Sequence, residues 1–216
     1  MPFGFLRRKP EPKAAGPRPA PERPRLGGRG VPFDGLTEEW RLQGRMQIDG
    51  RLSDALNKRE SIEISDVSWA PVDGSTEFSP VPGLRSVDPY DLIIVLAGET
   101  TQPPLTEAER AAHKVHKIAY DVALELPPFR VIGTVFLYPG SEPDRLLDRS
   151  TEMFVPVTDA VTILDKKEIG DPDVDTVLVN RFYLRGVTQI DKRTRARVQP
   201  LPGSPLGGVS WTDKSR

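Results

Sequence analysis

Two histidines, His113 and His116, stand three residues apart in a stretch that reads as helical. Side chains three and four residues apart are neighbours on a helix. Glu109, His113, His116 and Tyr120 therefore fall on one strip. Two imidazoles and a carboxylate at that spacing can hold a metal such as zinc, with a fourth ligand supplied from elsewhere. The competing account is a polar flank with an ordinary Glu–His contact, which needs no ion. Asp171, Asp173 and Asp175 alternate as calcium-loop carboxylates do. The sixth position of that run is Thr176 rather than glycine, and the twelfth is Phe182 rather than glutamate, so an acidic solvated loop is the better account.

Other chemistry is scarce. The 216 residues contain no cysteine, which excludes disulfides, thiolate metal sites and a cysteine nucleophile. No Gly-x-Ser-x-Gly, phosphate loop or dinucleotide fingerprint is present. Arg51 with Asp54 and Arg145 with Asp148 occur at matching places, where each pair is expected to orient a helical turn. A catalytic role and a cofactor are not expected.

The net charge of −1 hides an asymmetry. Residues 1–30 hold eight basic and two acidic side chains, and residues 191–216 hold six and two. Residues 31–190 hold 16 basic and 27 acidic ones, a balance of −11. The first 30 residues also contain seven prolines, which remove backbone donors and fix φ. Their composition predicts a disordered basic arm. Arg7, Arg8, Lys9, Arg25 and Arg29 are its candidate contacts with an anionic partner. Phe3, Phe5 and Leu6 offer only a marginal membrane contact, because stable anchoring takes two signals. No apolar stretch is long enough to span a bilayer and none follows the N-terminal basic residues, so a cytoplasmic protein is expected.

These groups must be positioned by a scaffold, and the scaffold repeats. Residues 40–48 (WRLQGRMQI) and 129–137 (FRVIGTVFL) both alternate apolar or small residues with others, the period of a half-buried strand. Each has a central glycine, Gly44 and Gly133. Arg-Leu-x-Asp follows in each copy, ending at Asp54 and Asp148. Residues 62–69 and 155–162 then alternate until Asp66 and Asp159, where the apolar phase slips by one. The same slip in both predicts a bulge or tight corner at the acid. A last strand is expected at 91–98, an apolar run that reads as buried on both sides, and at 176–187 in the second copy. Between the copies, a capping pattern at Thr106 and Glu109 opens an amphipathic stripe from Ala108 to Leu126, stopped by Pro127–Pro128.

The pattern of a glycine-centred strand, Arg-Leu-x-Asp, Leu56-Asn57, a Ser/Thr-Asp-Val/Ala corner and Val179-Asn180-Arg181 resembles tandem copies of a small bacterial domain of unknown function. The resemblance implies a domain and no activity. Arg25-Leu-Gly-Gly-Arg29 is similar to the arginine arm of PilZ domains, which grips a cyclic dinucleotide. The second element of that family is not matched; Asp73-Gly74-Ser75 is the nearest fragment and departs from it.

The fold expected is therefore β-rich α+β, with two small β units at 31–102 and 129–191. A helix over 103–128 would join them, with a basic arm at 1–30 and a basic tail at 192–216. The function expected is a non-catalytic interaction or assembly module, with a protein partner or self-association. The alternatives are a nucleic-acid or nucleotide-binding protein working through its arms, and a metal-dependent enzyme around His113 and His116.

Overall fold

The computed structural model describes residues 29–98, 117–148, 152–171, 173–174, 176–191, 194 and 196–198. Its strands are β1 (Arg29–Leu36), β2 (Trp40–Ile48), β3 (Ile62–Pro71), β4 (Ser79–Pro80), β5 (Ser86–Val87), β6 (Ile94–Leu96), β7 (Ile118–Leu126), β8 (Phe129–Leu137), β9 (Phe154–Leu164), β10 (Lys167–Ile169), β11 (Val177–Asn180) and β12 (Gly186–Gln189). Among the described residues there is one α-helix, α1 (Leu52–Asn57), with 3-10 turns at Pro89–Asp91 and Pro143–Leu147. The strands form one 12-stranded antiparallel sheet in the order β12-β7-β8-β9-β11-β6-β1-β2-β3-β4; β10 is added to β9 and β5 to β3.

This overturns the α+β expectation of two units joined by an amphipathic helix. The described residues are mostly β, and residues 118–126 of the expected helix are strand β7. The sequence IAYDVALEL satisfies two periods at once. Ile118, Val122 and Leu126 suit a helical face, while Ile118, Tyr120, Val122, Leu124 and Leu126 alternate. Pairing decides between them: β7 forms an unbroken ladder with β8 from Ile118–Leu137 to Leu126–Phe129, closed by Pro127–Pro128, whose peptide bond is cis. The ladder pairs alternate backbone groups along nine residues, β12 pairs Val122 to Glu125 from the other side, and Val122, Leu124 and Leu126 are buried. The remainder of the expected helix, through residue 116, lies outside the described residues.

The second closing strand is also corrected. Residues 176–187 are not one strand: β11 ends at Asn180, residues 181–183 turn, and β12 begins at Gly186. Nor do β6 and β11 hold equivalent places, since β6 pairs with β1 while β11 pairs with β9.

Strands β6 and β11 pair with each other at the middle of the sheet, and both are buried on both faces. Val95, Ala97 and Leu178 face a first core with Phe33, Met46, Leu56, Ile64 and Phe154. Ile94, Leu96, Val177 and Val179 face a second, with Val122, Leu126, Phe129, Val131 and Val157. One seam thus serves two cores, which is why its sequence shows no polar alternation.

The flanking strands carry a matched pair of bulges. Asp66 and Val67 on β3 sit opposite the single residue Gly44, between the pairs Gln43–Ser68 and Arg45–Ser65. Asp159 and Ala160 on β9 sit opposite Gly133, between Ile132–Val161 and Thr134–Thr158. Both acids adopt the left-handed region, at φ 53° and 47°. Asp tolerates that region better than most residues. The extra residue bends each strand and accounts for the slipped apolar phase. Glycine is required opposite: a Cβ on Gly44 would lie 2.8 Å from the Ser65 carbonyl oxygen, and one on Gly133 2.6 Å from Val157 Cγ1 and 2.8 Å from the Thr158 carbonyl oxygen.

Two asparagines tie distant segments. The Asn57 amide accepts from the Phe154 N–H at 2.7 Å and donates to its carbonyl at 3.2 Å, joining the end of α1 to the start of β9. Asn180 is fully buried, donates to the Leu92 carbonyl at 2.7 Å and accepts from the Phe182 N–H at 3.0 Å. It ends β11 by giving the next turn a side-chain acceptor.

Gly133→Ala and Gly44→Ala are each expected to cost about 2 kcal/mol through overpacking at the bulge, Gly133→Ala the more. Asp66→Gly is expected to leave stability unchanged or slightly raised, since glycine carries no left-handed penalty. Urea unfolding of the three variants measures this; a neutral Gly133→Ala would show that the bulge is not fixed by that contact.

Candidate binding site

A cleft of about 650 Å³ lies where β8 ends and the chain turns back toward β9. Three local features build it. Strand β8 alternates until Leu137, so Phe136 points away from the core and stays 48% exposed. The chain then reverses, with the Ser141 N–H donating to the Tyr138 carbonyl and Gly140 at φ 81°. The 3-10 turn Pro143–Leu147 follows, and its Leu146 anchors in the second core.

A short turn leaves carbonyls without partners at its end. Arg181 donates to two carbonyls of this turn, of which that of Arg145 also accepts from the Asp148 N–H, and to one beyond it. Its Nε donates to the Leu146 carbonyl at 2.7 Å, its Nη2 to the Arg145 carbonyl at 2.6 Å and its Nη1 to the Glu152 carbonyl at 3.4 Å. The Arg181 N–H also donates to the Met153 carbonyl. The planar fork of a guanidinium spreads its donors over three nitrogens and reaches separated acceptors at once, whereas the donors of an ammonium radiate from a single nitrogen. Burial pushes the Arg181 guanidinium below its ordinary value, and Asp148 and Glu152 oppose the shift. Arginine stays charged at physiological pH, so the cleft keeps a fixed cation in its lining.

The walls are amphipathic. Tyr138 is 58% exposed beside Phe136, and Lys117 stands over the Tyr138 ring, its Nζ 5.2 Å from the centroid. Lys117, Arg145 and Arg181 line the cleft against Asp148 and Glu152, a balance of three positive to two negative. In a body with a balance of −11, this cleft is a local exception. It offers exposed aromatic rings, both signs of charge and a rigid base, a combination suited to holding a ligand with apolar and charged groups.

The structure places the expected site residues as follows. Asp148 ends the 143–147 turn and lines the cleft, whereas Asp54 lies in the first turn of α1. Arg51 begins α1 without a side-chain cap. Gly44, Asp66, Gly133 and Asp159 make the bulges. Asp171 lies in an acidic groove with Asp159 and Glu168, while Asp175 is outside the described residues. Glu109, His113, His116, Arg7, Arg8, Lys9 and Arg25 also lie outside them, as does the side chain of Arg29. Among the described residues no group of three or more His, Asp or Glu is placed to hold a metal. No helix among them is long and apolar enough to cross a membrane.

Sequence reading did not assign Arg181 to a turn 35 residues away; its only signal was a polar pair, Asn180-Arg181, inside an apolar run. Phe136 and Tyr138 gave no signal beyond alternation. The chain matches no family model, and no curated protein or solved structure matches it.

Arg181→Lys is expected to destabilise the protein by about 2 kcal/mol, since donors radiating from one nitrogen cannot reach the Leu146, Arg145 and Glu152 carbonyls as the guanidinium does. Amide exchange in residues 143–148 should accelerate more than in β7. Equal acceleration everywhere would mean that Arg181 supports the whole fold rather than this turn.

Proposed function

We propose that the chain is a non-catalytic recognition module, with an acidic β body, basic flanking segments and a partner-binding cleft formed by the end of β8 and the 143–148 turn. The observation that carries this reading is the pair of exposed rings, Phe136 and Tyr138, set beside a buried Arg181 whose guanidinium donates to three carbonyls. Large apolar side chains held in water by a rigid frame are the usual anchors of an interface. The partner chemistry that fits is an extended polypeptide placing an apolar side chain against the rings and a carboxylate near Lys117 and Arg145. A nucleic acid carries a charge on every nucleotide and would bring some of them against Asp148 and Glu152, whereas a peptide can place one carboxylate beside the cations and neutral residues elsewhere, which favours a peptide here.

Panning a random-peptide display library on the full-length protein tests the reading. Selected peptides should carry an apolar residue beside an acid. Their affinity should fall roughly 30-fold with Tyr138→Ala, the loss of about 2 kcal/mol typical of an anchor residue. Peptides that bind Tyr138→Ala and Phe136→Ala as tightly as the native chain would place recognition elsewhere.

A further inference from the structure

A second aromatic surface lies at the opposite end of the sheet, on the first core's side. Trp40 opens β2, and Trp69 lies on β3 opposite Leu42. Their rings stack with centroids 4.8 Å apart and planes 21° apart. Both are more than a third exposed, at 36% and 38%. Trp40, Leu42 and Trp69 share one sheet face, so the indoles extend the core face out into water. The turn before Trp40 is fixed by Thr37, whose Oγ accepts from the Trp40 N–H at 3.0 Å and donates to the Trp40 carbonyl at 3.1 Å. The platform is therefore held in place rather than formed by a loose tip.

Its surroundings are acidic. Glu38 and Glu39 occupy the turn and are exposed, and Asp73 and Glu77 are exposed beyond the end of β3. The nearby cation, Arg41, is already held by Asp34 in a two-pronged ion pair, at 2.9 and 2.6 Å. Stacked indoles next to an acidic turn suit a proline- and arginine-rich extended segment. Proline rings pack on flat aromatic surfaces, and a preformed polyproline helix loses little entropy on docking.

Such a segment precedes β1. Residues 9–25 hold six prolines, five basic and two acidic residues. The reach is also right. From Arg29, β1 runs eight residues to Leu36, beside the turn that precedes Trp40. That span is about 23 Å at the rise of a strand. Running back from Arg29 at about 3.1 Å per residue, a polyproline segment covers it in about eight residues. This brings Pro17-Arg18-Pro19-Ala20-Pro21 to the indoles and Arg18 and Arg23 to the acidic turn. We propose that residues 17–23 dock on the Trp40–Trp69 platform of the same chain. The short tether gives an effective concentration in the millimolar range, which lets a weak contact persist. The contact is independent of the β8 cleft.

The absence of cysteine makes a clean test possible. Full-length protein carrying Ala15→Cys with a nitroxide label is compared by indole N–H spectra with the same chain carrying Pro17→Ser, Pro19→Ser and Pro21→Ser. The substitutions leave the folded body untouched. The expected result is loss of most of the Trp40 and Trp69 indole signals in the native arm, with recovery in the serine arm and with Glu38→Lys/Glu39→Lys. Signals equally retained in both arms would overturn the proposal. A mixture of isotope-labelled untagged chains with tagged unlabelled chains gives the remaining arm: equal signal loss there would assign the contact to a second copy and overturn the same-chain docking.

Discussion

Ile94, Val95 and Leu96 have no exposed face, and the rest of the molecule follows from that. Their strand lies between β1 and β11, so its backbone is paired on both edges as well. Successive side chains point to opposite cores, so a slip of one residue would exchange the two sets. The register is pinned from outside the strand. The Ile93 N–H donates to the Leu36 carbonyl, the Ala97 N–H to the Thr176 carbonyl, and the Asn180 amide to the Leu92 carbonyl. Without a common seam, each core would be a small one built on few strands, and small cores are marginal.

The seam also sets the binding cleft. Strand β11 ends where the second core closes, and there Asn180, its last residue, turns the chain while Arg181 braces the 143–148 turn. A buried guanidinium is costly unless its donors are occupied, and here they meet the carbonyls of Arg145, Leu146 and Glu152. The price is a cation that cannot move. Its return is a cleft with a fixed base, on which Phe136 and Tyr138 stay exposed without depending on their own contacts for position.

The sequence was legible where one physical rule acted alone. Alternation marked β2, β3, β8 and β9; unbroken apolarity marked β6; and the slip at Asp66 and Asp159 marked the bulges. It was illegible where two rules competed or where the cause was distant. Strand β7 satisfies helical and strand periods together, and only its pairing with β8 separates them. Strand β1 was hidden by Pro32 and Gly35 at the end of a proline-rich stretch; its place depends on β2 and β6 on either side. Arg181 resembled a polar residue within a strand because its partners, at 145, 146 and 152, are remote in the chain. Trp40 and Trp69, 29 positions apart, form a stack only through the β2–β3 register.

The central claim is that β6 and β11 join both cores into one cooperative unit. Amide hydrogen exchange across a urea series tests it most directly, read in β3 for the first core and β8 for the second, in native protein and in Val95→Ala. The substitution removes atoms from the first core alone, at a cost of about 2 kcal/mol. A common seam predicts that the slowest amides of β3 and β8 lose protection by the same amount. Retained protection in β8 beside loosened exchange in β3 would contradict the account and describe two cores that unfold independently.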